Sequence, residues 1–264
     1  MAEFVRDAYG VSILVGGHPQ SHVPDDPHLL IFEYMQHLTE LVDTLPAAPP
    51  ARLAVTHIGG AGLTLARYIH HTRPGSPQIV LEPDAELTER VRQETPLPRG
   101  HRIRVRAVTG EEGVPALRRG SADVVVLDAF ADGRIPGALT TREFLTQVAG
   151  VLAPDGLFLA NLSDEPGLRY VARVAATVGA VGLTHRALVA THDVFKGRRH
   201  GNVVLAARRT ELDIAEVDRR LRRSPFPTSL RTDVAGWSRG AAVLTDADPQ
   251  SSPAAPDPGT WRVR

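Results

Sequence analysis

Residues 122–161 read ADVVVLDAFADGRIPGALTTREFLTQVAGVLAPDGLFLAN. The valine-rich run 122–127 is apolar almost throughout and reads as a strand. A loop follows, then a helix over 141–151, then a second apolar strand over 156–161. Strands without a polar face, joined through amphipathic helices, mean a parallel sheet covered on both sides.

The same rhythm extends toward the N-terminus. Strand 52–58 precedes a helix at 62–72, strand 78–82 a helix at 84–94, and strand 102–107 a short helix at 111–118. Toward the C-terminus a helix is expected over 166–179, then strands at 184–190 and 202–208. Those last two are joined only by THDVFKGRRHG, which lacks helical periodicity. Parallel strands need a longer crossover, so a hairpin with one antiparallel strand is expected.

The flanks are simpler. The first 25 residues carry strand-like pieces with a turn at Gly16-Gly17. Residues 28–45 show helical spacing after Asp26-Pro27, and Pro46, Pro49 and Pro50 end that helix. A further helix is expected at 212–222, and the Pro-, Ala-, Asp- and Ser-rich chain from about 245 is expected to be disordered. The expected organisation is a strand–turn segment with a helix over 1–50, an α/β domain over 51–222, and a C-terminal extension over 223–264.

Composition narrows the chemistry. The 264 residues suit one large domain with small attachments, and 30 basic residues balance 30 acidic ones. Nothing in that balance attracts nucleic acid or an anionic membrane. With no cysteine there are no disulfides, Cys-based metal sites or thiol nucleophiles. The N-terminus lacks a basic stretch followed by an apolar one, and no charge-free apolar run approaches the ~20 residues of a membrane span. A cytoplasmic protein is the expectation.

In an open α/β sheet, ligands sit at the carboxyl ends of the strands. After the first strand of the repeating series comes His57-Ile58-Gly59-Gly60-Ala61-Gly62, which runs straight into a helix. A tight turn without a ligand would explain these glycines alone. Glu82 follows the next strand, twenty residues past Gly62, where an acid can accept hydrogen bonds from a ribose diol. Together they point to a nucleoside-containing ligand. Leu65 stands where a dinucleotide fingerprint needs a third glycine, so an S-adenosylmethionine-type ligand fits better than NAD.

Thr109-Gly110-Glu111-Glu112 follows the third strand. Glu111 is the candidate acceptor for an adenine amino group, with Glu112 beside it as the alternative and an acidic first helical turn as the plain structural reading. Asp128 ends the VVVLD strand, and a carboxylate there is costly unless paired or functional. It could hold a cationic amine or take its proton. Asp132 precedes Gly133 in an ordinary turn, and Thr140 with Glu143 matches a helix capping box.

These segments resemble the spermidine synthase (polyamine aminopropyltransferase) family, on the class I methyltransferase-like fold. The similar region runs from about residue 12 to 208. ILVGGHPQS (13–21) is similar to the family's strand–turn–Gln segment, HIGGAG (57–62) to its glycine loop, VLEPD (80–84) to its ribose-binding Glu, and 122–161 to its catalytic-aspartate strand, gate loop and following helix and strand. The implied fold is a Rossmann-like, doubly wound, mostly parallel seven-stranded sheet with a short N-terminal β/helix extension.

The resemblance implies transfer of an aminopropyl group from decarboxylated S-adenosylmethionine to a diamine such as putrescine, without a metal, in a small-molecule enzyme that forms a homodimer. It implies Asp128 as the catalytic residue. Gln20, Gly59, Gly60, Gly62, Glu82 and Glu111 would contact the nucleoside, and Tyr34 and Asp132 the amine. Departures gather on the amine side. Ala131 stands where the family has a second Asp, and Tyr34-Met35-Gln36 replaces Tyr-His-Glu. Two other readings follow: an S-adenosylmethionine-dependent small-molecule methyltransferase, with His57 or Arg67 holding the methionine carboxylate, and a non-catalytic nucleoside-binding module. The histidines show no metal-ligand spacing, and Gly197-Arg198-Arg199-His200 reads as a solvated basic turn.

Overall fold

Alternate residues of the strand Ala122–Asp128 point to opposite faces of a sheet, and both faces are filled. Val124 and Val126 pack into one apolar layer, Val125 and Leu127 into the other. Leu157 and Leu159 join the first layer, Phe158, Ala160 and Leu162 the second. This two-sided burial is why the central strands lack polar alternation.

The computed structural model describes residues 2–256 apart from Gly16 and Ala61. The chain begins with an antiparallel sheet of β1 (Ala2–Arg6), β2 (Gly10–Val15) and β3 (His18–Pro24). Helix α1 (Glu33–Val42) leads to the main sheet. There β4 (Val55–Gly59), α2 (Thr64–Thr72), β5 (Gln78–Leu81), α3 (Ala85–Glu94), β6 (Ile103–Arg106) and the short α4 (Gly110–Gly113) follow in turn. Next come β7 (Ala122–Asp128), α5 (Arg142–Val151), β8 (Leu152–Asp164) and α6 (Arg169–Ala180). The chain continues with β9 (His185–Thr191), the single-turn α7 (His192–Phe195) and β10 (Gly201–Arg208). It closes with α8 (Ile214–Leu221), β11 (Thr228–Arg231) and α9 (Val234–Trp237).

The main sheet runs β11-β9-β10-β8-β7-β4-β5-β6. β4 through β8 are mutually parallel, whereas β10 is antiparallel to both β8 and β9. The expected hairpin is therefore present. The chain winds outward from β4 to β6, then returns to place β7 on the other side of β4. That reversal opens a crevice between β4 and β7, and their terminal residues Gly59 and Asp128 are register partners.

Several expectations change. The sheet has eight strands rather than seven, because β11 adds an edge strand on β9. Its four residues are all half-buried, so no apolar pattern marks them. Helix α1 starts at Glu33 rather than near Asp26, and Phe32 at its N-cap makes no side-chain cap. Thr141 caps α5, accepting from the Phe144 N–H, while Thr140 donates to the Gly137 carbonyl; the Thr140–Glu143 capping box is absent. Residues 245–256, where disorder is expected, lie along the domain, their polar side chains accepting hydrogen bonds from it. The last part of that tail, 257–264, lies outside the described residues, as does Gly16 of the N-terminal turn. No described helix is long and apolar enough to cross a membrane.

Leu159 is fully buried at the centre of β8. Leu159→Ala should lower unfolding stability by ~2–5 kcal/mol in urea titration, and a loss below ~1 kcal/mol would contradict this packing.

Candidate functional site

A cleft of about 1380 Å3 opens at the carboxyl ends of the central strands. A pocket for one small ligand usually occupies ~300–1,000 Å3, so this one has room for two.

The glycines after β4 have separate tasks. Gly59 has φ +82°, and a Cβ there would come within 2.4 Å of the Asp128 carbonyl oxygen. Its bareness lets β4 and β7 approach. Gly60 has φ +93° with open space beside it, so its backbone faces the cleft. Gly62 does not line the cleft; a Cβ there would strike Ser21 Oγ of β3. Ser21 meets Thr64 Oγ1, and that hydroxyl donates to the His22 carbonyl at 2.8 Å. Gly62 thus sits where the N-terminal sheet docks on α2. Ala61 lies outside the described residues.

Glu82 follows β5 and is 9% exposed. Its Oε1 accepts from the Asp84 N–H at 3.1 Å, and burial pushes its carboxyl upward. Between the two neighbouring acids, Glu112 closes a capping box with Thr109 at the start of α4, accepting from the Thr109 N–H while Thr109 Oγ1 accepts from the Glu112 N–H. Glu111 lines the cleft and Glu112 does not. Gln20 of β3 lines it too.

Asp128 stands at the β7 terminus. Asn161, 1% exposed on the adjacent β8, donates its Nδ2 to Asp128 Oδ1 at 2.9 Å. Asn161 Oδ1 is buried without a hydrogen-bond partner among the described residues, and Asn161 lines the cleft. Burial raises the Asp128 pKa, and the Asn161 bond offsets part of that rise. The Tyr34 phenol is raised well above its ordinary value, first by burial and then by the Asp128 charge, so it stays protonated. Asp132 lines the cleft from an exposed turn with φ +50°.

The structure therefore brings Gln20, Tyr34, Gly59, Gly60, Glu82, Glu111, Asp128 and Asp132 to one cleft, and leaves Gly62 out. Sequence reading passed over Asn161. Strand register carries its signal: Leu127 pairs with Ala160, so the next residue of each strand emerges side by side.

Two cations expected near the glycine loop are otherwise occupied. The His57 ring bonds Gln78 Oε1 at 2.9 Å, and burial lowers its pKa to about 4, which leaves it neutral. Arg67 points at the Thr95 and Pro96 carbonyls. Of the described residues lining the cleft, Arg199 is the one guanidinium, and it pairs with Glu33 at 2.6 Å. Six carboxylates line the same space: Glu33, Glu82, Asp84, Glu111, Asp128 and Asp132. Among the described residues, no three His, Asp or Glu side chains converge to hold a metal ion.

The chain is 30% identical to a probable spermidine synthase from Corynebacterium glutamicum, whose crystal structure superposes with a TM-score of 0.85 over 93% of this chain and 92% of that one. The chain belongs to the spermidine synthase family. The polyamine aminopropyltransferases of two Neisseria meningitidis strains, serogroups A and B, are 23% identical over 210 residues, 76% of this chain and 72% of theirs. Human methyltransferase-like protein 13 in complex with SAH, 22% identical with a TM-score of 0.58 over 73% of this chain and 94% of that one, shares the fold. No family model matches the chain. As a member of the spermidine synthase family it is a transferase on a class I methyltransferase-like α/β scaffold.

A raised carboxyl pKa costs stability when the group is charged. For Asp128 that cost is absent below the unfolded value of ~3.9 and grows as pH rises through the higher folded value. Asp128→Asn should therefore melt above the parent at pH 7, with the gap closing toward pH 4. Equal or lower melting at pH 7 in differential scanning calorimetry would contradict the burial of this carboxylate.

Proposed function

We propose that this protein transfers an aminopropyl group from decarboxylated S-adenosylmethionine to a small amine, with putrescine the first acceptor to test. The observation that carries this reading is the charge arrangement of the cleft. A sulfonium and an ammonium must share it, and among the described residues six carboxylates face a single, already paired guanidinium. Among the described residues, an intact methionine carboxylate would find no free cation beside the glycine loop, since His57 is neutral and Arg67 is turned away. The decarboxylated form lacks that requirement. The family relatives, named for aminopropyl transfer and spermidine synthesis, support the same assignment.

In this reading Gln20, Gly60, Glu82 and Glu111 hold the nucleoside. Glu82 accepts from the ribose hydroxyls, and Glu111 from the adenine amino group. Asp128 receives the acceptor's ammonium, and Asn161 Oδ1, left without a partner, accepts a second N–H from the same nitrogen. One proton passes from nitrogen to the Asp128 carboxylate and on to solvent. The freed lone pair attacks the aminopropyl carbon bound to sulfur. The C–N bond forms as the C–S bond breaks, its electron pair stays on sulfur, and methylthioadenosine leaves. Upward displacement of the Asp128 pKa makes it a better proton acceptor than a solvated carboxylate. Orientation of the two substrates supplies much of the remaining rate gain.

Calorimetric titration with S-adenosylmethionine, its decarboxylated form and methylthioadenosine, followed by assay with putrescine, tests the assignment. Decarboxylated donor should bind at least about tenfold tighter than the intact form, and turnover should release methylthioadenosine. Tight binding of intact donor without a polyamine product would favour a methyltransferase instead. Asp128→Asn should lower kcat by ~10^2–10^4, while the Kd for methylthioadenosine changes by less than about threefold.

A further inference from the structure

The C-terminal segment enters the site from the side of the sheet opposite the glycine loop. Leu244 is anchored first: its N–H donates to Thr177 Oγ1 at 2.9 Å, and its carbonyl accepts from the Arg142 N–H at 2.8 Å. Arg173 on α6 then bonds Asp248 Oδ2 at 2.9 Å and Gln250 Oε1 at 2.6 Å. The chain next crosses the loop that follows Asp128. The Gln250 backbone lies so near Gly137 that a Cβ there would meet it at 2.9 Å. Gly137 N–H donates to Ser251 Oγ at 3.2 Å.

Ser252 is the central fastening. It is 0% exposed, in a segment whose neighbours are open to solvent. Its Oγ accepts from the Ile135 N–H at 2.9 Å, its own N–H donates to the Ile135 carbonyl at 3.3 Å, and Ser163 Oγ at the end of β8 donates to it at 3.3 Å. One serine therefore ties the tail to both the loop and the sheet. Past it, Ala254, Ala255 and Pro256 are exposed and line the cleft.

Sheet order says which half of the cleft this is. β8 and β10 lie on one side of β7; β4 and β5, which carry Gly60 and Glu82, lie on the other. Ser163, which donates to Ser252, sits next to the last residue of β8, so the tail stands on the side of Asp128 away from the nucleoside residues. Its contribution there is small and apolar. We infer that residues 251–256 form the acceptor-side wall of the site: Ser251 and Ser252 fasten the 129–137 loop, and Ala254-Ala255-Pro256 limits the length of amine that fits beside Asp128. The wall's role in acceptor choice rests on the aminopropyl-transfer reading; the fastening does not.

The experiment uses the full chain with Ser252→Ala, Ala254→Phe or Ala255→Phe. Acceptor KM is measured over diamines of increasing length, with methylthioadenosine Kd as the control for the nucleoside half. At least one of the two Phe variants should raise acceptor KM about tenfold or more, most for the longest amine, with Kd unchanged. If neither variant changes the acceptor profile, or if Kd rises in step with KM, the wall is overturned. Separately, Ser252→Ala should speed amide hydrogen exchange at Ile135 and Gly137 about tenfold or more, with the β7 amides unaffected. Unchanged exchange overturns the fastening. A parent chain that turns over no amine defeats the aminopropyl-transfer reading and with it the wall's role in acceptor choice, while exchange still decides the fastening.

Discussion

Taking a carboxylate out of water is costly, and Asp128 emerges from a strand whose preceding four residues are buried. Its partner within the protein, the Asn161 amide, is neutral and compensates only part of the loss, which leaves the Asp128 carboxyl displaced upward. The site is thus incomplete in a particular sense. A cation placed at Asp128 would supply the missing compensation, and a proton supplied by that cation would do so too. The same desolvation gives the group affinity for an ammonium and a tendency to accept its proton. Gly59 is part of this arrangement, because any side chain there would push apart the β4 and β7 ends that frame Asp128.

Sheet order then divides the labour. Residues that suit a nucleoside come from β3, from the loop after β4, from the end of β5 and from α4. In the proposed reaction, the groups near the amine come from β7, β8, α1 and the C-terminal segment. Asp128 stands at the boundary, where in that proposed reaction one substrate's leaving sulfur and the other's nitrogen have to meet. In that reading the winding reversal between β4 and β7 sets the line along which the reaction runs, and loop composition on either side sets which molecules reach it.

The fold was legible because two-sided burial erases polar alternation in β4, β5, β7 and β8, and each of these is followed by a helix with a clear apolar stripe. β11 escaped because its four residues are half-buried and carry no such contrast. Sequence spacing found Glu82, Asp128 and the glycine loop, since each directly follows an apolar strand. It could not separate Glu111 from Glu112, because the distinction is a capping box formed only when Thr109 folds back on Glu112. Gly62 carries a second constraint that the sequence did not show: Ser21 of another sheet approaches it so closely that a Cβ would meet its side chain. The tail read as disordered because Ser, Ala and Pro carry little apolar area. What orders residues 245–256 is polar and long-range, with Ser252 reaching a partner 117 positions away.

The amine side shows what the altered motif means physically. Asp132 occupies an exposed left-handed turn closed by paired Ala131 and Arg134 backbone bonds, so its charge is well solvated and offers a weak field to a buried ligand. Glu33 is better placed in energetic terms, being only 27% exposed, but its Oε1 already holds Arg199 at 2.6 Å, and Arg199 is held again by Thr191 Oγ1 at 3.0 Å. An acceptor with a charged far end must share Glu33 with that guanidinium and bear the repulsion of a like charge. An acceptor with a neutral far end meets no such conflict and lies against the methyl and ring surface of Ala254, Ala255 and Pro256. In the proposed reaction, charge therefore selects strongly at Asp128, where the nitrogen would react, and weakly at the far end, where length and apolar fit take over.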